Sequence, residues 1–517
     1  MIFSGTDCGR DAAGAIHACL FLWICNISGG PKVGREIIAA GLDIGTTKVC
    51  TVVGHGDPSG RITITGIGLV PSRGMRKGVV IDVTDTISAV RDSVEKARHM
   101  AGADFTSVCA GVTGDHIQSS NLRGSVTIPG TEPVISAADM ERVLQAAALE
   151  APRDREIIHS LPRFFTVDGQ RGVKRPIGMR GQRLEVETHV VTGTSSFLQN
   201  VAQCVEGANL TADALILEPI ATAEAVATPA ERDLGVALID IGGGTSDLAV
   251  FIEGSIAFSG VITVGGNHVT RDISIGLRTP FEMAERLKIE RGAASAAMMP
   301  LGEALEVLAA GSGERLSLPR AVLGQIIEAR MTELLEMARD MLQEAGLLGR
   351  IPAGVILTGG GALLPGAIEM AAAMFQTPVR LGRPFDVEGW SDQVDMPQFA
   401  TAVGLLRFAL RRLPEEIDVT PVPVAQPPAE PKVTAPVASV EPPEAMVEHE
   451  ISQPAPDDSM TPFDKSVLPA GSLDRARSER DSYYDPFDDD VRPAKPPTTW
   501  LQKALHRLRE LIGFEMR

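Results

Sequence analysis

Aromatic residues are scarce in this chain, 4% of 517 residues with only 2 Tyr. Single-stranded nucleic acids are held largely by bases stacked on aromatic rings, so that mode of binding is excluded. Positive charge is also short, 48 Lys and Arg against 66 Asp and Glu, which leaves a net charge of −18. A surface of that sign repels phosphate backbones unless a basic patch stands apart, and no nucleic-acid partner is expected. The six cysteines, Cys8, Cys19, Cys25, Cys50, Cys109 and Cys204, form no CxxC pair. Neither a zinc site nor a disulfide framework follows, and a reducing compartment fits best. No run reaches the ~18 apolar residues that a membrane-spanning helix needs. The nearest, 12–27, is broken by Gly14 and His17 and preceded by Asp7 and Asp11. That is a poor secretory signal, and residues 1–35 read as an extension without structure of their own. The GxxxxGK[ST] phosphate loop and the GxGxxG dinucleotide turn are missing as well.

Hydrophobic residues, at 44%, suffice for real cores, and the length allows two to four domains. From Glu36 to Arg412 short β-branched runs alternate with helical stretches, an α/β pattern. Residues 413–497 then hold 17 of the 35 prolines and 18 acidic against 7 basic residues. Such a segment cannot bury a core, and a disordered, self-repelling linker is expected. Residues 498–517 turn basic and amphipathic.

Within the α/β zone EIIAAGLDIG followed by KVCTVVGHG reads as strand, tight turn and strand, and LGVALIDIGGGTSDLAVFIEG repeats the device about 200 residues on. Two copies imply an internally duplicated fold. A third cluster, GVILTGGGALLPG, follows a strand and is expected to open a helix over Leu363 to Phe375. Phosphate oxygens need converging backbone N–H groups, which glycines let the chain supply at close range. Gly45, Thr46, Thr47 and Lys48 offer amides, hydroxyls and a cation, and Gly242, Gly243, Gly244 and Thr245 offer the same from the other side. Asp43 and Asp240, at the strand ends, suit Mg²⁺ held through its water shell. Gly359, Gly360 and Gly361 would let an adenosine lie flat against backbone. Each cluster alone is more often an ordinary turn.

The ordered triple DIGTTK, DIGGGTSD and TGGGALLPG resembles the phosphate 1, phosphate 2 and adenosine motifs of the actin, sugar-kinase and chaperone ATPase superfamily. Within it, IHSLPRFFTVDGQRGVKRPIGMRGQRLEVETHVVTG and VITVGGNHVTRDISIGLRTPFEMAERLKIERG closely resemble the FtsA family of bacterial division proteins. The resemblance covers roughly Glu36 to Arg412 and implies two actin-like halves around an ATP and Mg²⁺ cleft. Residues 36–105 would begin subdomain 1A, 106–189 would form an inserted α+β subdomain 1C with a helix at Ala137 to Ala151, and 190–412 would complete 1A with 2A and 2B. It adds Gly266 and Asn267 to the nucleotide set, with Glu285 and Lys288 on the ribose and adenine side; the plain alternative for that pair is a solvated i to i+3 bridge. Glu218 would position an attacking water for an ATPase that is slow at most, although a helix-start carboxylate is favoured by the dipole anyway. His116, His159, His189 and His268 have no metal-ligand spacing and read as core or surface residues. Trp390, Met298 and Met299 read as packing or loop residues.

The resemblance further implies that the half containing Val261 to Arg350 binds the FtsZ C-terminal tail near a helix at Pro319 to Gly346, with Arg330 as a first probe. Subdomain 1C would meet neighbouring subunits in filaments, or later division proteins. At the end of the chain a Thr cap precedes Trp500, Leu501, Ala504, Leu505, Leu508, Leu511 and Ile512, the rhythm of one helix face, flanked by Lys503, Arg507 and Arg509. A basic amphipathic helix on a long tether fits an anionic membrane surface, and FtsA's membrane-targeting helix occupies the same position. The expected role is to anchor FtsZ at the cytoplasmic face of the inner membrane, at the septum. The alternatives are a sugar-kinase-type phosphotransferase and a filament protein of the MreB or pilus-assembly type.

Overall fold

The computed structural model describes residues 38–412 apart from 57–60, 153, 301 and 311–314. The apolar stretch 12–27, the acidic linker and the expected terminal helix lie outside the described residues.

Two sheets share one plan. In the first, Ile38–Ile44, Lys48–Gly56 and Ile62–Pro71 form an antiparallel meander, and Ser107–Val112 and Thr211–Leu217 add in parallel on the other side of Ile38–Ile44. In the second, Val236–Ile241, Ser246–Ile252 and Ser255–Ile262 form the meander, and Val355–Thr358 and Val379–Leu381 add in parallel. The duplication read from two hairpins therefore extends to five strands in the same spatial order and direction. Val387–Gly389 returns to pair with Ile62–Pro71. Val236–Ile241 is buried along its whole length, as a central strand covered on both faces must be.

Helices Glu218–Val226 and Ala400–Arg412 lie between the sheets. Ile220 and Ala221 of the first and Val403 and Leu406 of the second share one core with Cys50 and Ile216 of the first sheet and Leu238 and Ile356 of the second. Pro219 sits in the first turn of its helix, where a missing N–H costs nothing. The pair meets at backbone distance. A Cβ on Gly404 would stand 1.8 Å from the Ala221 carbonyl oxygen, and one on Gly41 would stand 2.4 Å from the Leu406 nitrogen. At the rim Glu224 pairs with Arg232 at 2.6 Å and Arg411 at 2.9 Å. Burial works to raise the Glu224 pKa, yet these two guanidiniums outweigh it and hold the carboxyl at about 2.

Between the fourth and fifth strands of the first sheet the chain builds a separate module. Gln118–Thr127, Arg183–Gly193, Glu156–Val167 and Gln170–Val173 form an antiparallel sheet in that order. Helix Ala137–Ala148, started by a Ser136 and Asp139 capping box, covers it through Met140 and Leu144 against Phe165 and Leu184. The expected start at residue 106 is corrected. Ser107–Val112 pairs with Ile38–Ile44 and Thr211–Leu217, so it is a central strand of the first sheet and the module begins after it. The third glycine cluster also differs from expectation. Gly360–Leu363 is a single 3₁₀ turn, and the helix starts only at Ala367, because Pro365 and Gly366, at φ 85°, interrupt it.

Replacing Gly404 with Ala should force the two central helices apart and lower stability by about 1–3 kcal/mol. Gly349→Ala, whose Cβ would meet nothing within 4 Å, should not. Equal melting temperatures for the two variants would show that the helices are not held at backbone contact.

Candidate functional site

The two Asp-Gly hairpins end in the same turn. Gly45 N donates to Lys48 O at 3.0 Å, and Gly242 N donates to Thr245 O at 3.0 Å. The turns face each other in a crossed way: a Cβ on Gly243 would stand 1.8 Å from Thr47 Oγ1, and one on Gly244 would stand 2.5 Å from Thr46 Oγ1. Counting from the strand-end aspartates, 46 corresponds to 243 and 47 to 244, so the contact has local two-fold symmetry. Threonine on one turn requires glycine on the other. Asp43 sits across its hairpin from Cys50, and Asp240 across from Asp247, so the first copy carries a thiol where the second carries a carboxylate.

Four carboxylates converge here, and Asp43, Glu218, Asp240 and Asp247 are all buried. Lys48 Nζ lies 2.5 Å from Asp43 Oδ2. Asp240 Oδ2 accepts from Thr222 Oγ1 and Thr401 Oγ1, each at 3.0 Å. Asp247 accepts from Thr113 Oγ1 and, at 3.3 Å, from Thr245 Oγ1. Burial disfavours the Lys48 charge, but Asp43, with Cys50 and Asp240, outweighs it and the ammonium is held above its ordinary pKa. Burial, reinforced by Asp43, Asp247 and Asp240, pushes Glu218 well above the carboxylate range. Asp247 is pushed to about 7, by burial first and by Asp240 and Asp43 against the pull of its threonines. Burial raises Asp240 too, with Thr401 and Thr222 in opposition. Lys48 is the cation set among them, and among the described residues no three His, Cys, Asp or Glu side chains are grouped so as to hold a metal ion.

Gly266 and Asn267 support the second turn: their amides donate to Gly242 O at 2.9 Å and Gly243 O at 2.8 Å. Glu285 and Lys288 form an inward pair at 2.7 Å. Lys288 Nζ also donates to Gly266 O at 3.0 Å and Thr270 Oγ1 at 2.7 Å, so the pair is no solvated bridge, and burial lowers the lysine pKa. Gly359, at φ 81°, abuts Asp240, and a Cβ on Gly361 would meet Ile241 at 2.3 Å. Gly360 faces open space.

Asp247, Thr113, Thr222 and Thr401 were not singled out from sequence. Asp247 stands inside the DIGGGTSD motif, and the two helix threonines are lone hydroxyls in EPIATAEAV and FATAVGLL, a signal of a buried polar partner. The histidines are structural: His159 Nε2 accepts from Leu217 N at 3.0 Å, His268 Nδ1 accepts from Gly265 N at 3.1 Å, and His116 lies 4.9 Å from the Phe197 ring. Met299 is buried while Met298 and Trp390 are exposed. Arg330 is a poor surface probe, because helix Arg320–Glu344 turns it inward between Asp272 at 2.6 Å and Glu333 at 2.5 Å. Reversing its charge would test the fold before any partner.

Residues 237–404 match the family described as cell division protein FtsA, and residues 114–192 match the SHS2 domain inserted in FtsA. The chain is 42% identical to the cell division protein FtsA of Pseudomonas aeruginosa over 380 residues, 73% of this chain and 90% of that one. It is 36% identical to FtsA of Escherichia coli K12 over 385 residues, covering 73% and 91%. Among solved structures, a PilM-PilN type IV pilus biogenesis complex matches with TM-score 0.54 at 18% identity, covering 73% of this chain and 99% of that one. Two copies of one five-stranded plan, packed on paired helices with their glycine turns facing, define an actin-like protein. The chain belongs to the FtsA family of cell division proteins, and its inserted module is that family's SHS2 domain.

The raised Asp247 value has a consequence for stability. The folded pKa, about 7, exceeds the ~4 of an unfolded Asp. The stability tied to its proton is therefore complete below about pH 4 and lost as pH rises through 7. Without nucleotide, Asp247→Asn should melt above the wild type at pH 8 by the equivalent of a few kcal/mol, with the gap closing toward pH 4. A gap that stayed constant from pH 8 to pH 5 would refute the assignment.

Proposed function

We propose that the cleft binds Mg-ATP and that the protein ties FtsZ filaments to the cytoplasmic face of the inner membrane at the division septum. The observation that carries the nucleotide reading is the crossed pair of glycine turns set beside four buried carboxylates and one lysine. The residues fit the ligand: Gly243 and Gly244 let the Thr46 and Thr47 hydroxyls reach in between the halves, and Gly360 is open to a flat group. Asp43 and Asp240 would hold the metal through water, Lys48 and the hydroxyls of Thr46, Thr47 and Thr245 would meet phosphate, and Lys288 and Glu285 would border the sugar. When bound, the metal would neutralise phosphate charge. Asp247, pushed to about 7, is the group able to take a proton from water near neutral pH, and Glu218 would position that water. Gly243→Val should abolish ATP binding while leaving a folded protein. A folded variant that bound ATP like wild type would overturn the cleft assignment.

The division role rests on family membership, which takes the place of the kinase, MreB-type and pilus alternatives. The second half, around helix Arg320–Glu344, is the proposed seat of the FtsZ tail. The inserted domain is the proposed contact to neighbouring subunits in filaments or to later division proteins.

Membrane attachment is assigned to the sequence from Trp500 to Ile512. Lys503, Arg507 and Arg509 near an anionic surface contribute about 1 kcal/mol each, and burying Trp500 and Leu508 adds about 1.5–3 kcal/mol each. The two contributions are comparable, so losing either should weaken attachment severely. Co-sedimentation with anionic vesicles and FtsZ, with and without ATP, tests the whole reading. Leu508→Glu should stop pelleting and leave ATP binding intact. If Leu508→Glu still pelleted and deletion of residues 1–35 did not, the anchor would lie in the N-terminal apolar stretch.

A further inference from the structure

A second cavity, of about 370 Å³, lies where the inserted domain meets the second half. The contact there is unusual in kind. Two sheet edges face each other, but side chains tie them: Ser119 Oγ donates to Ser259 O at 2.7 Å, and Asn121 Nδ2 donates to Ala257 O at 3.0 Å. His189 spends both ring nitrogens there, on Asn121 Oδ1 at 2.8 Å and Ser259 Oγ at 2.9 Å. Ser255 Oγ donates to Arg163 O at 3.0 Å. Side chains span a wider gap than a backbone ladder would, and beside them the cavity stays open.

Its walls are cationic and polar. Ser120 and Arg163 come from the inserted domain, Phe258 from the second sheet, and Leu347 and Arg350 from the turn after the long helix, and no carboxylate lines it. Glu187 answers Arg163 and Arg123 together, so one negative charge is shared between two guanidiniums. Arg163 Nε is buried without a hydrogen-bond partner among the described residues. Arg350 is exposed at the rim. His189 adds no charge, since burial and Arg163 hold its pKa near 3.

We propose that this cavity binds a small phosphorylated anion, its phosphate held by Arg163 and Arg350 with the Ser120 hydroxyl, and its remaining part against Phe258 and Leu347. Planar guanidiniums suit phosphate oxygens, and the volume exceeds that of a lone inorganic phosphate. A ligand seated there touches both the inserted domain and the second half, so its binding would stiffen their junction. The proposal is independent of ATP binding in the cleft.

The test uses the full-length chain with pyrophosphate and AMP as probes, read by calorimetry and amide hydrogen exchange. Pyrophosphate should protect 118–127 and 255–262, and Arg350→Gln should weaken it at least about tenfold, the worth of one charged hydrogen bond. Gly243→Val should leave that protection unchanged. AMP binding more tightly than pyrophosphate would support the apolar wall. Absence of binding at millimolar probe, protection confined to 45–48 and 242–245, or equal affinity in Arg350→Gln would overturn the proposal. A cleft that failed to bind ATP would show itself separately, as a wild type indifferent to Gly243→Val.

Discussion

The Asp240 carboxylate, buried and held by two threonine hydroxyls, is the point on which the architecture turns. It stands at the end of the central strand of the second sheet, and its two donors, Thr222 and Thr401, come from the two helices that separate the halves. The donors also touch each other at 2.9 Å. A buried carboxylate without partners would cost several kcal/mol, so the helices must stay where their hydroxyls reach it. They can do so only because Gly404 lets them meet at backbone distance. Core packing and cleft chemistry are in this way one constraint, and a change in how Asp240 is solvated must be felt by both helices.

Duplication supplies the frame, and departure from duplication supplies the chemistry. The two hairpins have the same turn, register and neighbours, yet the first bears threonines where the second bears glycines, a lysine where the second has Thr245, and Cys50 where the second has Asp247. Burial pushes the Cys50 thiol to about 12, which leaves it inert at neutral pH. Of the equivalent positions 50 and 247, the one able to exchange a proton near neutral pH therefore sits on the second copy, and the lysine sits on the first. A structural repeat carries two unlike jaws.

The frame was largely legible in the sequence. Strand, Asp, glycine turn and strand is a local pattern, and each of its parts follows from residue chemistry within ten positions. What escaped depends on contacts far apart in the chain. Thr222 and Thr401 are 179 residues apart, and nothing in either segment names the other. Ser107–Val112 reads as a strand in any context, but which sheet it joins is settled by Ile38–Ile44 and Thr211–Leu217. The helix after the third glycine cluster began late because Pro365 and Gly366 overrule the apolar pattern around them. Arg330, offered as a first probe of a partner groove, is committed to Asp272 across the chain, a pairing 58 residues away that its own helix does not announce.

The helix Ala400–Arg412 is the last of the described elements, and its last turns are well fastened. Arg407 donates to Glu224 O at 2.8 Å and to Phe385 O, with its guanidinium 4.6 Å from the Phe385 ring; Arg411 is held by Glu224. Tension on the chain beyond residue 412 would enter the protein here, into the element packed between both halves. These bonds would bear it together instead of opening one after another, as they would if a surface strand were peeled away. A pull from outside would thus be delivered to the packed centre of the molecule, not to its periphery.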